Sequence, residues 1–243
     1  MIPLYSTIPT QRFPWVNYSL IGTNVALFAY ETTLGTHLES FLLAHGWVPA
    51  GFSQALAHGQ VPGLAPLLIS MFLHGNWLHL FGNLLYLHIF GGNVEDRLGS
   101  LRYLCFYCVG GVVAVLVQTY VSPFSRTPMI GASGAIAAVA GAYFVFYPTA
   151  RVLTLVPLIF SFRVVRVPAV CYLLLWSLLQ LLSGMSALSP AGQGLVGVAW
   201  WAHVGGFVAG LVLGPLFLLK KRRPRQVWLY SPLLWNNTKS ALR

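Results

Sequence analysis

The stretch Gly131-Ala132-Ser133-Gly134-Ala135-Ile136-Ala137-Ala138-Val139-Ala140-Gly141-Ala142-Tyr143-Phe144-Val145-Phe146-Tyr147-Pro148 carries no charge and closes on a proline. Its length and apolarity read as a membrane helix. Ala137-x-x-x-Gly141 within it makes a stripe of small residues on which another backbone can lie. A second apolar run begins near Ala199, carries His203, and has its own stripe at Gly206-x-x-x-Gly210. The stripes predict that the two runs pack closely, which brings Ser133 and His203 within reach of each other.

Working outward, 57% of the 243 residues are hydrophobic, 7% are charged and the mean hydropathy is +0.72. Such a composition excludes an ordinary soluble domain. A hydrocarbon core about 30 Å thick takes roughly 20 apolar residues per helix, and six stretches qualify, at about 14–31, 76–93, 101–120, 129–147, 168–183 and 199–219. The expected fold is an all-α membrane protein. It is a single domain over 1–243, a six-transmembrane-helix bundle with an interfacial external loop between spans one and two and a basic cytoplasmic tail at 220–243. Helical pieces are expected in the long loop at Ser40–Ala44 and Pro66–Phe72. The stretch Thr149–Val167 reads as an interfacial connector, and 183–198 as a mobile flap. No cleavable signal sequence is read at the N-terminus.

The net charge of +10 is distributed by topology. With the N-terminus inside, thirteen of the fourteen Lys and Arg residues fall on the inner side and only Arg126 falls outside. Both termini are therefore expected in the cytoplasm, and a bacterial inner membrane is the simplest assignment. The run from Lys220 to Arg225 reads as an anchor on anionic headgroups, so the bilayer and not nucleic acid is the expected partner. Cys105, Cys108 and Cys171 lie inside predicted spans and read as packing residues.

Alternation of direction makes spans two, four and six all run from outside to inside. Ser133, His203 and His79 each lie three or four residues into a span, which puts them roughly 5–6 Å from the outer helix ends and in one layer. Polar groups at that depth are costly unless partnered. Ser133 reads as a nucleophile and His203 as its base. His79 and Asn83 are spaced i, i+4 on one face of span two, an arrangement suited to donors that stabilise an oxyanion, with the Ser133 N–H as a third. His74 either supports that shell or caps the helix, and His88 reads as structural. The only aspartate, Asp96, lies with Glu95 at an inner turn, whereas Glu31 and Glu39 lie in the outer region. An aspartyl dyad is thereby excluded, and the zinc pattern His-Glu-x-x-His is absent. With only Glu39 as a remote candidate for a third member, a Ser133–His203 dyad for peptide hydrolysis is the expectation.

These residues resemble the rhomboid intramembrane serine proteases over nearly the whole chain. The resemblance rests on Gly131-Ala132-Ser133-Gly134, on His79-x-x-x-Asn83, on the turn Gly91-Gly92-Asn93-Val94-Glu95-Asp96-Arg97-Leu98-Gly99, and on Ala202-His203-x-x-Gly206-x-x-x-Gly210. It implies a six-helix core, Ser133 and His203 as the dyad, an oxyanion site at His79, Asn83 and Ser133, supporting roles for Gly131, Gly134, His74, Gly206 and Gly210, and no metal or other cofactor. The implied substrates are single-span transmembrane proteins. The alternative is a non-catalytic rhomboid-like protein that binds or escorts membrane clients. The chain departs from the family pattern at Ala137, where some members have a tyrosine against the base, and at Pro66-Leu67-Leu68, where an aromatic is common.

Overall fold

A computed structural model describes residues 2–60, 62–158, 161–188 and 198–218. The chain opens with a short strand, β1 (Ile2–Ser6), followed by the helix α1 (Trp15–Thr33). The segment that follows folds into three short helices, α2 (Leu38–His45), α3 (Pro49–Ala57) and α4 (Ala65–Ile69), and a 3-10 turn at Ser70–Phe72. Helix α5 (Trp77–Tyr86) continues through a π-helical turn at Leu87–Gly91 into α6 (Gly92–Leu98). After α7 (Ser100–Val121) come α8 (Ser133–Phe146), the strands β2 (Arg151–Leu158) and β3 (Ser161–Pro168), and the helices α9 (Ala169–Ala187) and α10 (Trp200–Phe217).

Helix α8 lies at the centre, with every residue from Gly134 to Tyr143 buried. Its small residues let neighbours approach on several sides. A Cβ at Gly206 would strike the Gly134 carbonyl oxygen, one at Gly210 the Ala138 carbonyl, and one at Gly141 the Phe207 carbonyl. The stripes on α8 and α10 therefore meet backbone to backbone, as the sequence predicts. On another side, a Cβ at Gly134 would come within 2.7 Å of Ala114 on α7. Outer faces remain apolar and exposed, including Leu101 and Leu116 on α7, Leu175 and Leu179 on α9, and Val208 and Val212 on α10. Surface of this kind suits lipid, not water.

Among the described residues, α7, α9 and α10 are long and apolar enough to cross a membrane, and α8 is a shorter apolar helix. Three findings correct the expectations. First, the span expected at 129–147 becomes helical only at Ser133, so Ser133 is the first residue of α8 and not its fifth. Met129 is held by paired backbone bonds to Trp47, and the Gly131 N–H donates to the Ser70 carbonyl at 2.8 Å. Gly131 also has φ +117, so the entering chain is extended and cannot propagate the helix backwards. Second, the architecture is not purely helical. The expected connector at Thr149–Val167 is a β-hairpin, with Arg151 opposite Pro168 and Leu155 opposite Val164, and β1 adds antiparallel to β2 with Ile2 opposite Leu155. The β-branched residues Val152, Thr154, Val156, Val164, Val165 and Val167 are the strand signal. Third, Cys105 and Cys171 are exposed and so do not pack, while Cys108 is half-buried. Of the expected flap, Ser183–Ala187 completes α9, and 189–197 lies outside the described residues, as does the basic tail at 220–243.

The turn after the π-helical segment joins the elements at the end away from Ser133. The buried Glu95 carboxylate accepts the N–H of Val16 at 3.2 Å and of Asn17 at 2.7 Å, and the Ser100 hydroxyl at 2.6 Å. It thus caps the start of α1, where a negative charge is favoured. Asn17 donates its side-chain amide to the Leu87 carbonyl at 3.0 Å. A side chain inserted at that carbonyl accompanies the wide turn there. Gly91 faces the Asn17 amide so closely that any side chain at 91 would overlap it. The Asn93 amide holds the Ile8 carbonyl at 2.8 Å, and the Ser6 and Tyr143 hydroxyls meet at 2.6 Å. The N-terminal strand is thereby fastened to the central helix.

Candidate active site

Ser133 opens α8, and His203 is the fourth residue of α10. Their side chains meet: Ser133 Oγ lies 2.8 Å from His203 Nε2. On the other side of the ring, His203 Nδ1 lies 2.7 Å from Gln180 Oε1 on α9. Trp176, one turn before Gln180, tilts against the imidazole at 6.0 Å between centroids and 35°, and Trp200 meets it edge-on at 6.2 Å and 89°. Ala137, fully buried, faces Gly206 with only 3.1 Å available to a Cβ there. A larger residue at 137 would separate α8 from α10, and the His203 ring is steadied from α9 instead.

The start of α10 is also held by a side chain. Gln118 Oε1 on α7 accepts the N–H groups of Trp201 at 3.0 Å and Ala202 at 3.2 Å. Both are first-turn donors; the Ala202 N–H is shared with the Ala199 carbonyl at 3.0 Å. At the start of α8 the N-cap residue is Ala132, which makes no side-chain cap bond.

Helix α5 supplies the polar wall opposite. Asn76 caps it, accepting the His79 N–H at 2.8 Å. Of the two roles open to His74, capping therefore goes to Asn76. His74 is fully buried, and its Nε2 is 2.9 Å from Asn83 Nδ2. Its Nδ1 donates to the Phe72 carbonyl at 3.2 Å, and its backbone N–H reaches the Glu31 carboxylate at 3.1 Å. Burial, reinforced by the neighbouring His79 ring and opposed by the bond to Phe72, pushes the His74 imidazole down to about 4. The neutral ring accepts one of the two hydrogens of the Asn83 amide at Nε2. A Cβ at Gly131 would lie 2.6 Å from His79 Nε2 and 3.7 Å from Asn83 Nδ2. Both side chains therefore border the backbone two residues before Ser133, and position 131 must be glycine for space as well as for its φ. His88 lies elsewhere, at the π-helical turn, 3.4 Å from the Tyr18 hydroxyl. Glu39 sits on the exposed α2, whereas Glu31 reaches this region only through the His74 backbone.

Gln180, Gln118, Trp47 and the His74–Asn83 bond were not singled out by sequence reasoning. The signal for the two glutamines was available, because an amide inside an apolar span is as much in need of a partner as a charge is. Trp47 replaces the loop anchor that Pro66-Leu67-Leu68 lacks. It is buried, and its indole N–H donates to Thr119 Oγ1 at 2.9 Å.

A helical membrane protein with a half-buried serine–histidine contact at one end of its central helix is the class that this geometry defines. Residues 62–220 match the family model of the Rhomboid domain, well over half of the chain, and the protein belongs to the rhomboid family. It is 33% identical over 100 residues to "Rhomboid-like protein 11, chloroplastic" of Arabidopsis thaliana, covering 41% of this chain and 35% of that protein. It is 30% identical over 156 residues to "RHOMBOID-like protein 5" of the same plant, covering 63% and 44%. It is 37% identical over 73 residues to "Rhomboid protease GlpG" of Haemophilus influenzae, covering 30% and 36%. The chain thus spans between 35% and 44% of the length of these relatives. They include a chloroplast protein and a bacterial one, so they lend no particular support to a bacterial inner membrane for this chain.

Proposed function

We propose that the protein is an intramembrane serine endopeptidase that hydrolyses a peptide bond near the outer end of a single-span substrate helix. The observation that carries this reading is the 2.8 Å contact between Ser133 Oγ and His203 Nε2. In this reading α1, the continuous run from α5 to α6, and α7 to α10 form six crossings, with both termini in the cytoplasm. The 14 residues of α8 span about 21 Å, less than a bilayer core of about 30 Å. Ser133 then lies below the outer surface, at the foot of the extended segment 129–131.

His203 takes the Ser133 proton at Nε2 as Oγ attacks the substrate carbonyl, and then returns that proton to the leaving amine. Negative charge develops on the carbonyl oxygen beside the start of α8, where the Ser133 N–H, the second hydrogen of the Asn83 amide and His79 are the available donors. Water then resolves the acyl-enzyme by the same route. A helical peptide bond is shielded by its own hydrogen bonds, so substrates with small or helix-breaking residues near the cleavage point are favoured.

Two experiments bear on this reading. A fluorophosphonate probe is expected to label Ser133 in the purified protein and to fail with His203→Ala; a folded wild-type protein that resists labelling would favour a non-catalytic, client-binding role. Asn83→Ala is expected to lower kcat on a reconstituted transmembrane substrate by a factor on the order of 10². An unchanged rate would remove Asn83 from the oxyanion site.

A further inference from the structure

The imidazole of His203 is held at both nitrogens, and the second partner is the uncharged amide oxygen of Gln180, 2.7 Å from Nδ1. A neutral imidazole carries one proton. With that proton on Nδ1, the ring donates to Gln180 Oε1 and offers the Nε2 lone pair to the Ser133 hydroxyl, 2.8 Å away. With the proton on Nε2, the Nδ1 lone pair would face the Oε1 lone pairs, and the ring could not accept from serine. An acceptor at this position therefore selects the tautomer in which His203 is a base.

From these contacts we infer that Gln180 is the positioning residue of the dyad, an uncharged third member that fixes the tautomer and orientation of His203. The inference rests on the protease reading of Ser133 and His203.

The surroundings support this assignment. Gln180 is buried at 9% exposure, and Trp176, four residues earlier on the same face of α9, lies against the ring at 6.0 Å. Helix α9 is tied to the start of α10 by the Trp201 indole N–H, which donates to the Gly184 carbonyl at 3.2 Å. Gln180 thus sits on a stretch of α9 that is fastened to the helix carrying the base. When the Ser133 proton moves to Nε2, the ring becomes an imidazolium, and the existing Nδ1–H···Oε1 bond becomes charge-assisted and shorter. The amide oxygen is too weak a base to take the Nδ1 proton, so that proton stays on the ring while the Nε2 proton goes to the leaving amine. Within an apolar site a carboxylate would carry a large desolvation cost. The amide supplies the acceptor without a charge.

The test uses the full chain reconstituted in liposomes with a transmembrane substrate, comparing Gln180→Leu, which removes the acceptor at similar volume, with Gln180→Glu, whose carboxyl is kept neutral by the same desolvation and retains a carbonyl acceptor. Gln180→Leu is expected to lower kcat on the order of 10- to 100-fold with KM within about twofold, and Gln180→Glu to restore most of that loss. Nitrogen-15 spectra of histidine-labelled protein, with His203→Ala to assign the ring, are expected to show Nδ1 protonated in the wild type and mixed tautomers in Gln180→Leu. If Ser133 labels normally and Gln180→Leu turns over like the wild type, or Gln180→Glu is no better than Gln180→Leu, the role of Gln180 is overturned and the protease reading stands. If the folded wild type neither cleaves nor labels, the protease reading falls and this inference with it.

Discussion

Ser133→Ala is expected to abolish cleavage of a reconstituted transmembrane substrate, a loss on the order of 10⁴ or more. The hydroxyl is the only group of that residue that can attack a carbonyl, and it lies 2.8 Å from the nitrogen that would activate it. The fold should not change, because the alanine fits where the serine stood and the neighbouring Gly134 and Ala135 remain packed on α7 and α10. His203→Ala should cost nearly as much. The double variant should be no slower than Ser133→Ala alone, since a nucleophile and its base act as one unit and their losses do not add. Turnover retained by Ser133→Ala, measured as product per enzyme in liposomes, would reject the assignment. A double variant markedly slower than either single one would show that the two residues act separately.

Gly206→Val is expected to be nearly as severe, through packing instead of chemistry. Gly206 lies against the Gly134 carbonyl, one residue after the nucleophile, with Ala137 Cβ 3.1 Å from any added Cβ. The obstacle is helix backbone, which cannot rotate away. Relief must come from separation of α8 and α10, the helices that bring Ser133 to His203. Overpacking of a well-fitted interface costs about 1–3 kcal/mol, and a displacement of about 1 Å between reacting groups costs on the order of 10² in rate. Activity below about 1% of wild type, together with a lowered melting temperature in detergent, is expected. Gly82→Ala is the control, since nothing lies within 4 Å of a Cβ there. It should leave activity unchanged, and its added helix propensity should leave stability equal or slightly raised. Equal activity in Gly206→Val and Gly82→Ala would contradict the close contact of α8 with α10.

Much of this site was legible before any coordinates. Ser133 between glycines, His203 ahead of Gly206 and Gly210, and His79 four residues from Asn83 announce themselves because spacing along a helix determines which face a residue occupies. Elements that depend on distant partners were harder to read. The start of α8 was set four residues too early because Met129, Ile130 and Ala132 are as apolar as the helix they precede, and nothing local shows that Trp47 pairs with Met129. The hairpin β2–β3 was read as a connector because its edge is completed by β1, at the far end of the chain. The pairing of Gln180 with His203 is silent in the sequence because no local spacing ties the two, 23 residues apart on different helices.

Composition and periodicity alone determined that this chain is a helical membrane protein, which small residues line the contact between two of its helices, and that a serine and a histidine stand near the starts of those two apolar runs. These follow from short-range properties: hydropathy over some twenty residues and the repeat of the α-helix. Tertiary structure decided where α8 begins, that Glu95 caps α1, that His74 holds the Asn83 amide, and that the far nitrogen of His203 meets Gln180 on a third helix. Each of these is a contact between residues far apart in the chain, formed because a polar group removed from water must find a partner, and its partner is set by the packing of the whole molecule.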